Sequence, residues 1–150
     1  MSDLRPGPTR TADARSILQS NTDGWLATGD PGGQPHLIAV STCWTGREVV
    51  IATRAASRTA RNLQATHSAR LALGAPDDVV MLDLELGATD GVDSAGGGLT
   101  GEFARGVGWS PAEEPGEWQL LTLRPTRIQA FRGYGEQQGR DVLRDGKWLW

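Results

Sequence analysis

Apolar and polar positions alternate in short blocks along the chain, and most blocks carry the two-residue period of strands. The first block is different. Ala14, Ile17 and Leu18 fall at i, i+3 and i+4, which predicts a short helix from Ala12 that stops near Asn21–Gly24. A strand over Trp25–Gly29 follows, then the turn cluster Asp30–Pro35 and a second strand over His36–Trp44. Thr45-Gly46-Arg47 is a tight turn into a third strand, Glu48–Arg54. Its β-branched run Val49-Val50-Ile51 predicts a central strand covered on both faces. Three strands joined by short turns make an antiparallel meander.

A helix fits Ser57–Ala65, with Ser57 as N-cap and Ala60 and Leu63 on one face. Another strand fits Ala69–Gly74. In Val79–Leu86 the residues Val80, Leu82, Leu84 and Leu86 point one way, and Asp83 and Glu85 the other, so one face is buried and one wet. A Gly-rich connection over Asp90–Gly98 leads into a weak helix over Leu99–Val107, and Ser110–Gly116 is a loop. Strand segments Trp118–Leu123 and Thr126–Arg132 flank Pro125, which cannot donate to a ladder and so marks a bulge or corner. Asp145-Gly146 between apolar residues signals a hairpin. Pro6, Gly7 and Pro8 make residues 1–11 a mobile tail, leaving one domain over 12–150. Six or seven short strands with turns between them predict a mainly β protein with short helices, a small antiparallel β-barrel.

Composition narrows the function. A chain of 150 residues is one domain. Fifteen cations against 18 anions give a net charge of −3, which argues against nucleic acid as a partner. The single Cys43 excludes an internal disulfide and a multi-Cys zinc site, and two scattered His residues add no metal site. No apolar run reaches membrane-spanning length and the first twenty residues lack a signal-peptide core, so the expectation is a soluble cytoplasmic protein without a membrane partner. No nucleophile-elbow pattern supports a hydrolase triad from Ser41, His36 and Asp83.

Chemistry concentrates where a strand ends at Thr53 and a helix opens at Ser57. The free N–H groups of a helix start make an anion site. Arg54, Arg58 and Arg61 bring charge and forked donors beside it, a set that suits one phosphate group. The alternative is a solvated, Arg-rich helix face.

These residues resemble those of the pyridoxamine-5′-phosphate-oxidase-like, flavin-binding split-barrel family over about residues 17–132. The marks are Trp25-Leu26-Ala27-Thr28, the turn Gly32-Gly33-Gln34-Pro35-His36, the segment Ser57-Arg58-Thr59-Ala60-Arg61-Asn62-Leu63, and Arg124-Pro125-Thr126-Arg127 with the residues up to Arg132. The resemblance implies a homodimeric split barrel with FMN or a deazaflavin in the subunit interface. By position, Thr53 and Arg58 match residues that hold the flavin phosphate, with Ser57 beside them. Val40, Ser41 and Thr42 match the stretch that lines the ring and ribityl chain. Thr59 stands where the family commonly has Lys, and Arg61 or Arg54 is available to supply the missing charge. No His follows His67, whereas true oxidases carry an Arg-x-His arrangement near their C-terminus, so pyridoxamine phosphate is not the expected substrate. The reading is a flavin- or deazaflavin-dependent oxidoreductase acting on a small molecule. A non-enzymatic flavin carrier or sensor, or a cofactor-free dimeric binding module, is the alternative. Trp109 and Trp118, flanking the acidic loop, either stack on a ring or pack in a core or interface.

Overall fold

The long alternating stretch after Ala75 becomes the backbone of the molecule. In a computed structural model that describes residues 4–150, it forms a strand over Asp78–Gly91, β6, longer than the expected Val79–Leu86. The strands before it are β1 (Asp23–Gly29), β2 (Pro35–Ser41), β3 (Cys43–Trp44), β4 (Val49–Arg54) and β5 (Ser68–Ala75). Those after it are β7 (Trp118–Phe131), β8 (Asp141–Arg144) and β9 (Lys147–Trp148). The ladder runs β2-β1-β5-β6-β7-β4-β3, antiparallel throughout, with the β8–β9 hairpin attached to β7. The sheet curls so that its two ends meet. β2 and β3 lie at opposite ends of the order yet are separated in sequence by Thr42 alone. The expected strand His36–Trp44 therefore breaks at Thr42, whose N–H donates to the Thr22 carbonyl at 2.9 Å as the chain crosses from one sheet end to the other. The pattern of short strands implied a small antiparallel barrel and the family resemblance a split one, and the curled sheet has that form.

Other differences have equally local reasons. The two segments around Pro125 form one strand, and the ladder absorbs the proline by a register shift at Asp83/Leu84. Val49-Val50-Ile51 is covered on both faces but lies near one end of the sheet, not at its centre. Val49 and Ile51 enter the main core with Leu71, Leu82 and Leu121, while Val50 joins Leu120 and Phe103 in a second cluster on the outer face. A helix over Gly98–Val107, α3, covers that outer face. Its glycines serve close approach. A Cβ at Gly106 would sit 2.8 Å from Cys43 Sγ, so the helix rests directly on β3. On the wet face of β6, Asp83 and Glu85 pair with Arg70 (3.0 Å) and Arg124 (2.7 Å). Asp145 and Gly146 both take positive φ, 52° and 76°, as the expected two-residue hairpin turn requires.

The expected tail is the largest correction. Its first three residues lie outside the described ones, but a helix α1 already starts at Gly7 and runs to Ser20. Pro8 sits in its first turn, where a missing N–H costs no hydrogen bond. Arg10 is buried and donates to the carbonyls of Glu136 (3.2 Å) and Gly139 (2.7 Å). Arg5 grips the Glu136 carboxylate and also reaches Asp13 at 3.0 Å. Two arginines thus tie the segment down, a long-range pairing invisible to local composition. Ala14 and Leu18 enter the core, and Ile17 packs against it, as their spacing predicted.

Candidate functional site

The two sheet ends meet imperfectly. β2 and β4 approach each other at the seam without ladder hydrogen bonds, and a cleft of about 420 Å³ opens between them. Residues 38–41 form one wall and Ala52, Thr53 and Arg54 the other, with Ser57, Trp109 and Trp118 completing it. A larger groove of about 590 Å³ lies on the neighbouring outer face and shares Ala39, Val40 and Ser41. It contains neither a helix start nor an arginine, so the smaller cleft is the candidate site.

A helix over Arg58–Thr66, α2, opens at this cleft. Ser57 is its N-cap, accepting from Ala60 N–H at 3.0 Å through its hydroxyl and from Arg61 N–H at 3.0 Å through its carbonyl. The N–H groups of Arg58 and Thr59, at the first two helical positions, have no partner within the helix. They and the aligned peptide dipoles favour an anion. Arg54, Arg58 and Arg61 are exposed, and none is within ion-pair reach of a carboxylate among the described residues. Arg54 lies over the Trp118 ring at 5.4 Å, between the helix start and the aromatic wall.

Thr53 is only 5% exposed, and its Oγ1 has no hydrogen-bond partner in the protein. Directly across the β4–β7 ladder stands Gln119, whose Oε1 is likewise buried without a partner. Buried polar atoms are rarely left unmet, and of this pair Thr53 is the one that lines the cleft, beside the helix start. The other end of the cleft is aromatic. Trp109 meets Trp118 edge-on with ring centroids 5.5 Å apart, and it meets Phe103 at the same separation. Both indole N–H groups are satisfied, by Ser41 Oγ at 2.9 Å and by the Pro115 carbonyl at 3.0 Å.

Of the residues singled out in the sequence, Val40, Ser41, Thr53 and Ser57 line one cleft. Arg58 places its backbone N–H at the helix mouth while its side chain is exposed, and Arg61 lies further along α2, also exposed. Thr42 is elsewhere: it is buried at the corner between β2 and β3, and its Oγ1 points to the Asn21 carbonyl at 3.5 Å. Thr59 is 1% exposed, so its side chain packs beneath the helix and its N–H is the part that faces an anion. Gln119 was not legible in the sequence; only the ladder register, which sets it against Thr53, reveals it. Cys43 packs under α3, and burial, with the nearby Glu102 carboxylate second, pushes its thiol pKa up.

An antiparallel split barrel with an anion-attracting helix start in its seam defines the class of protein. The pyridoxamine 5′-phosphate oxidase family profile matches residues 11–96, more than half of the chain, and the chain belongs to that family. No curated protein matches it in sequence. Solved structures share the fold. An F420 reductase is 20% identical with a TM-score of 0.64, over 76% of this chain and 94% of its own. General stress protein 26 from Bacillus anthracis str. Sterne is 18% identical with a TM-score of 0.64, over 81% and 92%. A pyridoxamine 5′-phosphate oxidase-related, FMN-binding protein from Nostoc punctiforme PCC 73102 is 17% identical with a TM-score of 0.56, over 87% and 85%. Among the described residues no helix is long and apolar enough to cross a membrane.

Proposed function

We propose that the cleft binds FMN, with a deazaflavin coenzyme as the alternative occupant, and that the protein is a cytoplasmic homodimeric oxidoreductase acting on a small organic molecule. One observation carries the reading: a single cleft holds an open helix start, the unpartnered buried hydroxyl of Thr53 and an aromatic wall. That arrangement suits a molecule with a phosphate at one end and a flat ring at the other. Family membership supports it, as do fold relatives that include an F420 reductase and an FMN-binding protein.

A bound flavin or deazaflavin supplies hydride-transfer chemistry. The protein's part is binding and orientation. The N–H groups of Arg58 and Thr59 and the hydroxyl of Thr53 hold the phosphate, and Arg54 and Arg58 balance its charge. Trp109 and Trp118 keep water from one side of the ring. Hydride transfer needs no protein acid or base, in keeping with a cleft that holds no carboxylate or imidazole among its lining residues.

The free edge supports the dimer. β2 ends the sheet, and its outer face carries Leu37 at 62% and, with β1, Trp25 at 57% exposure. Exposed apolar side chains beside an open strand edge are costly unless covered. A second copy seated there would cover them and close the open side of the cleft.

The full chain, purified and titrated with FMN, should take up one flavin per subunit, and mass spectrometry of the released cofactor should separate FMN from a deazaflavin. Light scattering should report a dimer. Turnover with a reduced nicotinamide or a reduced deazaflavin distinguishes the enzyme from a carrier or sensor. A folded protein that takes up neither cofactor leaves the cofactor-free binding module as the answer.

A further inference from the structure

We infer that Trp109 is a positioning residue: its indole N–H holds the Ser41 hydroxyl turned toward a polar atom on the edge of the bound ring. The inference rests on the flavin reading above and adds to it the device that reads the ring. An indole nitrogen donates and never accepts, whereas a hydroxyl has one donor and two lone pairs. Trp109 Nε1 donates to Ser41 Oγ at 2.9 Å, so one lone pair of Ser41 is taken and its own proton must point away from the indole. Ser41 makes no other side-chain hydrogen bond among the described residues, and it lines the cleft. Its proton and its second lone pair have nothing in the protein to meet them.

The indole itself cannot swing away. Phe103 packs edge-on at 5.5 Å and an interplanar angle of 89°, and Trp118 at 5.5 Å and 67°. Trp109 follows directly on Gly108, the left-handed C-cap that ends α3. The bond to Ser41 therefore links the covering helix to β2 across the seam. A freely turning serine hydroxyl would serve donors and acceptors alike. One held by an indole offers its remaining proton and lone pair from a fixed position, so it favours a ring whose polar edge atom lies at that position.

The test uses the full chain, FMN and four variants: Trp109→Phe, which keeps a ring but removes the N–H, Ser41→Ala, the double variant, and Ser41→Thr. Each single loss should weaken FMN binding about three- to tenfold, the worth of one hydrogen bond. The double variant should lose no more than the larger single loss, because both remove the same interaction. Ser41→Thr, which keeps the hydroxyl on a strand, should bind as the wild type does. The visible absorption band of bound FMN should shift the same way in Ser41→Ala and Trp109→Phe, a readout that a purely structural role would not move. Thermal melting of each variant separates lost contacts from lost fold. FMN affinity that depends on Arg58 but ignores Ser41, or losses that add in full, would overturn this inference alone. A wild-type chain that takes up neither FMN nor a deazaflavin phosphate would overturn it together with the reading beneath it.

Discussion

Replacing Thr53 with Val should move stability and binding in opposite directions. The side chain is 5% exposed, its hydroxyl has no protein partner, and Val has the same branched shape. A buried hydroxyl without a hydrogen bond costs roughly 1–3 kcal/mol. Thr53 lies at the wall of an open cleft, so the low end applies, about 1 kcal/mol. For a chain of this size, that raises the melting temperature of the free protein by about 2–4 °C. The bound state reverses the sign. A hydroxyl that donates to a phosphate makes a charge-assisted bond of roughly 1.5–3 kcal/mol, so Thr53→Val should weaken FMN about tenfold or more. Thermal melts with and without FMN read both effects in one experiment. The variant should start higher than the wild type and gain less from FMN. A free-protein melting temperature that falls would mean that the hydroxyl is satisfied in the absence of ligand. An unchanged FMN-induced gain would mean that the phosphate lies elsewhere. Either result breaks the chain of reasoning from the unmet hydroxyl to the site.

Arg58→Ala should leave melting unchanged, because the side chain is exposed and carries no ion pair, yet weaken FMN about ten- to a hundredfold. That loss should shrink as salt is raised, which fluorescence titration at several ionic strengths would show. Thr59→Lys restores the residue common in the family, and the sequence alone suggests tighter phosphate binding. With Thr59 only 1% exposed, the longer cation must be forced beneath α2, so the variant should melt several degrees lower instead. The Glu136 carboxyl is held near 2, below its ordinary 4.5, mainly by its hydrogen bonds to Arg5 and against the opposing effect of burial. Its stabilising contribution is full above about pH 4.5 and is lost as pH falls from there towards 2. Glu136→Gln should melt lower at neutral pH and show a shallower decline through that acid window.

Much of the fold was legible because the signals that set it are local. The alternation in Val79–Leu86, the proline that forces a register shift at β7 and the Asp145-Gly146 turn each act over a few residues. What escaped was long-range. Pro6, Gly7 and Pro8 read as a tail because nothing nearby says that Arg5 and Arg10 will find Glu136, more than 120 positions away. The break at Thr42 was hidden for a related reason. The run from His36 to Trp44 is uniformly strand-like, and only closure of the sheet dictates that one half pairs with β1 and the other with β4. The site divides along the same line. Its proposed anion end lies in consecutive residues, Thr53 to Thr59, where a strand end, a cap and arginines are visible in the sequence. Its aromatic end depends on Trp109 meeting Ser41 across 68 positions, so the sequence offered the two indoles without saying what they face.

That division has a chemical meaning. A helix start and flexible surface arginines recognise charge; they would hold any phosphate with little regard for what is attached to it. Selectivity for the rest of the ligand must come from groups that are rigid and that would be left unmet by the wrong partner. In this cleft those groups sit at the seam: two indoles whose own N–H bonds are already made, a serine hydroxyl turned by one of them, and the buried Thr53. The seam is also the one place where a curled antiparallel sheet leaves two strand edges facing each other unpaired. A fold that cannot close its barrel thus acquires a gap lined by backbone and side-chain donors and acceptors. In this chain α3 packs on the outer face beside the gap, and Trp109, just past its end, lines the gap. A ligand in the gap and a second copy against β2 would cover adjoining surfaces, which is why binding and assembly are expected to stabilise each other.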